Sequence, residues 1–253
     1  MDTKGTNTIK SVQNLDIKCI QLNLRHSRAA TSNLMKVTEE NDTDILFIRE
    51  PYTIQNKLIG IPTKYKLYTA GEGRHRSAVV VNNNQLDVTL LLQLSDVDTV
   101  AVEVIKGTIK IIAVSMYFDR EQQIEHDLRK MERVISHAKG TGVLFAADSN
   151  ARSTSWHDVL TNTRGKILEE FIMSQRLHIM KEDSCYTTFR NRLGSSNIDL
   201  VLISSQLLDS FTGWEISEQD SISDHSIITY TIKPDMHKRT PINAPHMRYI
   251  TNT

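Results

Sequence analysis

Apolar runs of strand length recur along the chain between short polar segments. They are IKCIQLNL (17–24), DILFI (44–48), SAVVVN (77–82), LDVTLLLQL (86–94), TVAVEVI (99–105), TIKIIAVSMY (108–117), GVLFAAD (142–148), NIDLVLI (197–203) and SIITYTI (226–232). Several alternate with a period of two and are rich in Val and Ile, which predicts sheet. Residues 27–41, 121–140 and 163–175 carry apolar positions at helical spacing instead, the second stretch closed by Gly140 as a C-cap. Many strands with interspersed helices predict two packed sheets with helices outside, an α/β sandwich. The segments before residue 17 and after residue 233 are polar and aperiodic, and the latter holds three of the five prolines. The expectation is a folded domain over 17–233, with a flexible leader over 1–16 and a linker over 234–253.

A chain of 253 residues with 39% hydrophobic residues can bury a substantial core. No apolar run approaches a membrane span and the N-terminus lacks the apolar core of a signal peptide, so a soluble protein with no membrane partner is expected. Cys19 and Cys185 are the only cysteines and sit in apolar or aromatic stretches, which argues against a disulfide framework and for a reducing compartment. Thirty basic residues balance thirty acidic ones, so no global field attracts nucleic acid. Local clusters at Arg74 to Arg76 and at Arg190 and Arg192 matter only if they border a site.

Such a site is suggested by what ends the strands. Apolar runs terminate in Asn23, Glu50, Tyr117, and Asp148 with Asn150; Asp199 lies near the start of another, and Asp224-His225 precedes the last. Each is ordinary alone, since strands must end and polar residues sit at ends. Together they form the hard-oxygen and imidazole set that a divalent-metal phosphodiesterase needs.

In this order, Asn23, Glu50, Tyr117, Asp148-x-Asn150, Asp199 and Asp224-His225 resemble the motif series of the endonuclease/exonuclease/phosphatase superfamily, the deoxyribonuclease I-like fold. DSNARSTSW (148–156) followed by NTRGKILEEFI (162–172) is similar, more narrowly, to the apurinic-type endonuclease domain of non-LTR (LINE-type) retrotransposons. The resemblance implies a four-layer α/β sandwich of two mainly antiparallel sheets flanked by helices, with the active site at one edge. It also implies a nuclease that nicks duplex DNA to leave a 3'-hydroxyl primer, encoded upstream of a reverse transcriptase, working with element RNA and in the nucleus.

On that resemblance Glu50 is the principal Mg2+ ligand, with Mn2+ a possible substitute, and Asn23 binds beside it directly or through water. Asp148 orients or deprotonates the attacking water, and Asn150 holds phosphate or that water. His225 contacts the scissile phosphate with Asp199 holding its ring, and Asp224 lies near the metal or the nucleophile. Tyr117 either offers its phenol to the phosphate or simply covers the core. Candidate DNA contacts are Arg190, Asn191 and Arg192 on an expected hairpin loop, together with Thr188, Arg76 and Arg152. Trp156 and Trp214 are assigned to packing. Two positions depart from the family pattern. Arg49 stands where a Gln usually precedes the metal-binding Glu, and Arg25 stands where abasic-site enzymes carry an Asp. The alternatives are an abasic-site repair endonuclease of the same fold, a phosphoinositide phosphatase, or an inactive binding module. The last is disfavoured because every proposed catalytic position is filled.

Overall fold

Two βαβ crossovers organise the molecule, one in each of two sheets. The computed structural model describes residues 15–182 and 186–234. From the N-terminus the strands are β1 (Ile17–Asn23), β2 (Ile45–Arg49), β3 (Thr53–Ile54), β4 (Lys57–Leu58), β5 (Lys66–Tyr68), β6 (Ser77–Val81), β7 (Asp87–Leu90), β8 (Thr99–Lys106) and β9 (Ile109–Tyr117). They continue as β10 (Gly142–Asp148), β11 (Leu177–Ile179), β12 (Phe189–Asn191), β13 (Gly194–Ser196), β14 (Asp199–Ser204), β15 (Phe211–Ile216) and β16 (Ile228–Ile232). The helices are α1 (Arg28–Glu40), α2 (Ile124–Ala138) and α3 (Thr163–Ser174).

The first sheet has the order β15-β16-β1-β2-β6-β5 and the second β11-β14-β10-β9-β8-β7. Only β1 with β2 and β9 with β10 run parallel; the remaining pairings are antiparallel. A parallel pair needs a crossover, and α1 and α2 supply the two. Ile17, Phe47, Val79, Val102, Ala113, Leu144 and Ile203 fill the space between the sheets. Leu34 and Met35 of α1 cover the outer face of the first sheet, and Leu128, Met131 and Leu168 of α2 and α3 cover that of the second. The result is the expected four-layer sandwich. Strands β2 and β10 are buried at every position, because each has a helix or loop on one side and the other sheet on the other.

Several boundaries differ from the sequence expectation for local reasons. The run 86–94 ends as a strand at Leu90 and curls into a 3-10 turn over Leu92–Leu94 at the sheet edge, leaving Leu92 exposed. Helix α2 starts at Ile124 rather than at residue 121, because the carboxylate of Asp119 caps a preceding turn by accepting the Glu121 N–H at 2.9 Å. Its left-handed closing turn already begins at Lys139, one residue before Gly140. Ser27 and Asn162 cap α1 and α3 by accepting the N–H groups of Ala30 and Gly165. The expected leader up to residue 14, Cys185, and the expected linker from residue 235 onward lie outside the described residues. Among the described residues no helix is long and apolar enough to cross a membrane.

One end of the intersheet layer is polar. The Gln21 amide donates to the carbonyls of Ala147 and Leu200, and the Ser115 hydroxyl donates to that of Ile48 while its own carbonyl accepts from Ser77 Oγ. These bonds tie the two sheets together where the parallel strands end. Buried polar groups are tolerated when so paired, and they fix relative position in a way that apolar packing does not.

Candidate active site

Since β1 and β2 are parallel, as are β9 and β10, their carboxyl ends emerge on one edge of the sandwich. Asn23 lies beside Arg49 in one sheet; Asp148 lies beside both Tyr117 and Asp199 in the other. This register brings together residues separated by most of the chain. Glu50 follows β2 with φ +43 and Asn150 follows β10 with φ +45, left-handed turns that non-glycine residues seldom adopt. Both turns are pinned: the Glu50 N–H donates to the Arg76 carbonyl and the Asn150 side chain to that of Phe118.

The turns open a cleft of about 370 Å3 bordered by Glu50, Tyr117, Asp148, Asn150, Arg152, Asn191 and His225. Beneath it runs a chain of buried hydrogen bonds. Asn23 Nδ2 donates to Asp148 Oδ2 at 2.8 Å, His225 Nδ1 meets Asp199 Oδ2 at 2.7 Å, and His225 Nε2 stands 4.0 Å from Asp148 Oδ2. Arg49 Nη2 donates to Asp199 Oδ1 at 2.9 Å. Burial, then the charge of Asp199, raises the pKa of the Asp148 carboxyl above the ordinary range. Burial would do the same to Asp199, but His225 and Arg49 outweigh it and hold Asp199 low. His225 is raised despite burial, because Asp199 and then Asp148 favour its protonated form. The Tyr117 phenol is pushed up by burial and by Glu50 and Asp148, so it remains a hydrogen-bond donor.

Ligand atoms of Asp148, Asp199 and His225 lie within 4.8 Å of one another. This trio is a poor cage for a cation, since both Asp199 oxygens and His225 Nδ1 are already engaged. The donor set facing the cleft fits a hard divalent ion better. Glu50 is partly exposed there, meets only His26 Nε2 at 3.3 Å, and shares the cleft with Asp148 and Asn150.

Not every expected residue lines the cleft. Asn23 is fully buried, its Oδ1 accepting the Arg25 N–H at 2.8 Å, so it orients Asp148 from below. Asp224 stands apart from the Asp148–Asp199–His225 trio. Its carboxylate pairs with Arg25 at the cleft mouth and borders a neighbouring hollow together with Arg190. An Arg at position 25 draws Asp224 outward. Thr188, expected at DNA, is buried, and its Oγ1 accepts the N–H groups of Ile198 and Asp199 at 3.0 and 3.1 Å, which fixes the start of β14. Arg76 is held by Asp98 and Asp119 and lies over the Tyr117 ring at 5.0 Å, steadying that side chain. Arg152 pairs with Asp158 at the cleft wall. Trp156 and Trp214 are buried in the core as expected.

Sequence reasoning missed Arg120, Asn162 and Phe189, which also border the cleft. The Phe189 ring packs edge-on against His225 at 4.8 Å, a contact that requires the β12–β13 hairpin to dock on residues 224–226. The Arg-Gly pair in the first turn of α3 also acquires a reason. A Cβ on Gly165 would lie 1.9 Å from the Arg152 carbonyl oxygen, so only glycine lets α3 approach the cleft wall. Gly165→Ala is expected to destabilise the protein by about 1–3 kcal/mol through overpacking, read as a lowered Tm; an unchanged Tm would show that the Arg152 segment yields freely.

Residues 111–229 match the family model described as endonuclease-reverse transcriptase. The fold superposes on the endonuclease domain of TRAS1, a telomere-specific non-LTR retrotransposon, with TM-score 0.79 and 27% identity, covering 86% of this chain and 98% of that one. These matches support an endonuclease of the endonuclease/exonuclease/phosphatase superfamily, of the non-LTR retrotransposon kind. The chain is 25% identical over 236 residues to the 115 kDa protein of the type-1 retrotransposable element R1DM of Drosophila melanogaster, covering 89% of the chain and 23% of that protein. It is 26% identical over 193 residues to the Pol polyprotein from type-1 element R1 of Bradysia coprophila, covering 72% and 19%. The chain therefore spans about a fifth of the length of these relatives. The AP endonuclease LMAP from Leishmania major shares the fold, with TM-score 0.68 and 12% identity over 86% of this chain and 88% of that one. Nucleases of this fold depend on a metal, and the cleft supplies ligands for one.

Proposed function

We propose that this endonuclease domain nicks duplex DNA with Mg2+ as its cation, Mn2+ substituting, and leaves a 3'-hydroxyl that primes reverse transcription of the element RNA. The observation that carries this reading is the convergence of Glu50, Asp148, Asn150 and His225 on one cleft over a buried Asp199. Asp148, its proton affinity raised by burial, accepts a proton from water as the water oxygen attacks phosphorus. Asn150 and His225 hold phosphoryl oxygens and the Tyr117 phenol donates a hydrogen bond to one of them. The P–O3' bond breaks, so the new P–O bond stays on the 5'-phosphate and the 3'-oxygen leaves and takes a proton from solvent to become the hydroxyl. Glu50 would hold the cation, which when bound would supply charge neutralisation to the phosphate and the departing oxygen. Nicking chromosomal DNA would take the protein to the nucleus, and the relatives' length is consistent with a reverse transcriptase domain on the same polyprotein.

The test is supercoiled plasmid with Mg2+, then an abasic oligonucleotide. Preferential nicking of intact plasmid supports the reading, and preference for the abasic strand would favour repair. In Glu50→Gln, loss of a negative ligand is expected to raise the Mg2+ concentration for half-maximal nicking; a wild-type metal titration would move the ligand role elsewhere.

Site choice belongs to the β12–β13 hairpin. Its two-residue loop presents Arg192 and an almost fully exposed Leu193, while Asn191 faces the cleft and Arg190 the adjoining hollow. Arginines suit a narrow minor groove or guanine edges, and asparagine suits adenine. Replacing Arg190, Asn191 and Arg192 with Ala is expected to redistribute nicks on a long duplex without changing metal dependence or end chemistry. An identical nick map at equal rate would return the hairpin to a plain solvated turn.

A further inference from the structure

The interior of the sandwich holds a charge that the chemistry above does not use. Arg49 is fully buried at the end of β2, in the sheet opposite Asp199. Its Nη2 donates to Asp199 Oδ1 at 2.9 Å, its Nη1 donates to the Phe47 carbonyl at 3.0 Å, and its Nε has no hydrogen-bond partner among the described residues. Taking a guanidinium out of water costs more than a single ion pair reliably returns, and apolar replacements of buried pairs are often at least as stable. Stability alone therefore gives little reason for an arginine here.

Its geometry gives a better one. Asp199 has two oxygens: one accepts from Arg49 and the other meets His225 Nδ1 at 2.7 Å. A carboxylate held on one side only can rotate about its Cβ–Cγ bond, and the imidazole would follow it. Thr188 Oγ1 fixes the backbone of Asp199 but leaves the carboxylate plane unset. Arg49 sets that plane. Because it is the residue before Glu50, it also ties the turn that carries the proposed metal ligand to the strand that carries the imidazole's partner, across the two sheets.

We propose that Arg49 is a positioning residue of the nuclease: by clamping Asp199 Oδ1 it fixes the His225 ring with Nε2 turned toward Asp148 and the cleft. The proposal rests on the phosphodiesterase reading of the cleft. It assigns a task to a position where the sequence departs from the family's usual Gln, whose neutral, shorter side chain cannot make a charge-assisted pair of the same reach.

The test combines kinetics with a spectroscopic signature, using Arg49→Met, Arg49→Lys and Arg49→Gln. In metal-free protein with 15N-labelled histidine, the wild type should show a downfield, slowly exchanging His225 Nδ1–H resonance, assigned by its loss in His225→Gln. Arg49→Met should broaden or abolish it, and Arg49→Lys should restore it in part. Plasmid nicking by Arg49→Met should lose about 10- to 100-fold in kcat, the range for removing a group that orients a catalytic histidine, with KM for DNA within about twofold and with partial rescue by Lys. If Arg49→Met does not fold, the same comparison is made between Arg49→Gln and Arg49→Lys. A folded variant with an unchanged resonance overturns the proposal, whether or not kcat falls. A resonance lost in Arg49→Met together with a wild type that nicks no DNA would uphold the clamp while refuting the function proposed for the cleft.

Discussion

Asp148→Asn should lower plasmid nicking by about 100-fold or more, the cost of removing a positioned base, and His225→Ala by about 100-fold or more, the cost of removing a donor to the phosphoryl oxygens. On the proposed mechanism, Asp148 is the group whose protonation state decides activity. Burial, and then Asp199, lifts its pKa, and the water-activating form is the carboxylate, so nicking falls as pH drops through a range above that of an ordinary carboxyl. The stability consequence has the opposite sign. A carboxyl whose folded-state pKa is raised costs folding free energy above its unfolded pKa, increasingly so up to the folded value. Asp148→Asn removes that cost, so at pH 8 it should melt at or above the wild-type temperature while being almost inactive. Nicking rates, pH profiles and thermal melts of the two variants check this. Undiminished nicking by both would end the assignment of the cleft.

What could be read in the sequence follows from physical range. Val- and Ile-rich runs announced β1, β2, β6, β8, β9, β10, β14 and β16, because a strand buried on one or both faces leaves its pattern in adjacent residues. Glu50, Tyr117 and Asp148 were legible because a polar group that ends an apolar run is a local event. Pairing was not legible. That β1 joins β16 on one side and β2 on the other depends on contacts across the whole domain. The residues that the structure sets away from the cleft have the same cause. Asp224 is drawn from the trio by Arg25, 199 positions away. Arg76 is taken by Asp98 and Asp119, and Thr188 is turned inward by the start of β14. The departure at position 49 was visible as a letter, but its meaning required knowing that the strand opposite begins with Asp199. Short pieces such as β12 and β13 carry too few residues to show a period, although Gly194 marked the hairpin.

Asp199→Leu is expected to fail in both stability and catalysis. Asp199 is held ionised in the fold because His225 and Arg49 outweigh the effect of burial. A lowered carboxylate pKa contributes stability that is present above the unfolded pKa and is lost as pH falls through the folded value. Removing the carboxylate leaves Arg49 buried with only the Phe47 carbonyl, and His225 without its Nδ1 partner. Breaking a buried pair from one side costs about 3–5 kcal/mol, which for a domain of this size lowers Tm by roughly 6–20 °C. Arg49→Met in the same chain removes the stranded charge, so the double variant should regain most of the lost melting temperature. It should not regain nicking, since the histidine has lost the group that orients it. Thermal melts of wild type, Asp199→Leu and the double variant, with nicking assays on each, separate the two roles. A single variant that melts like wild type would mean Arg49 does not depend on Asp199, and a double variant that nicks like wild type would mean His225 needs no carboxylate behind it.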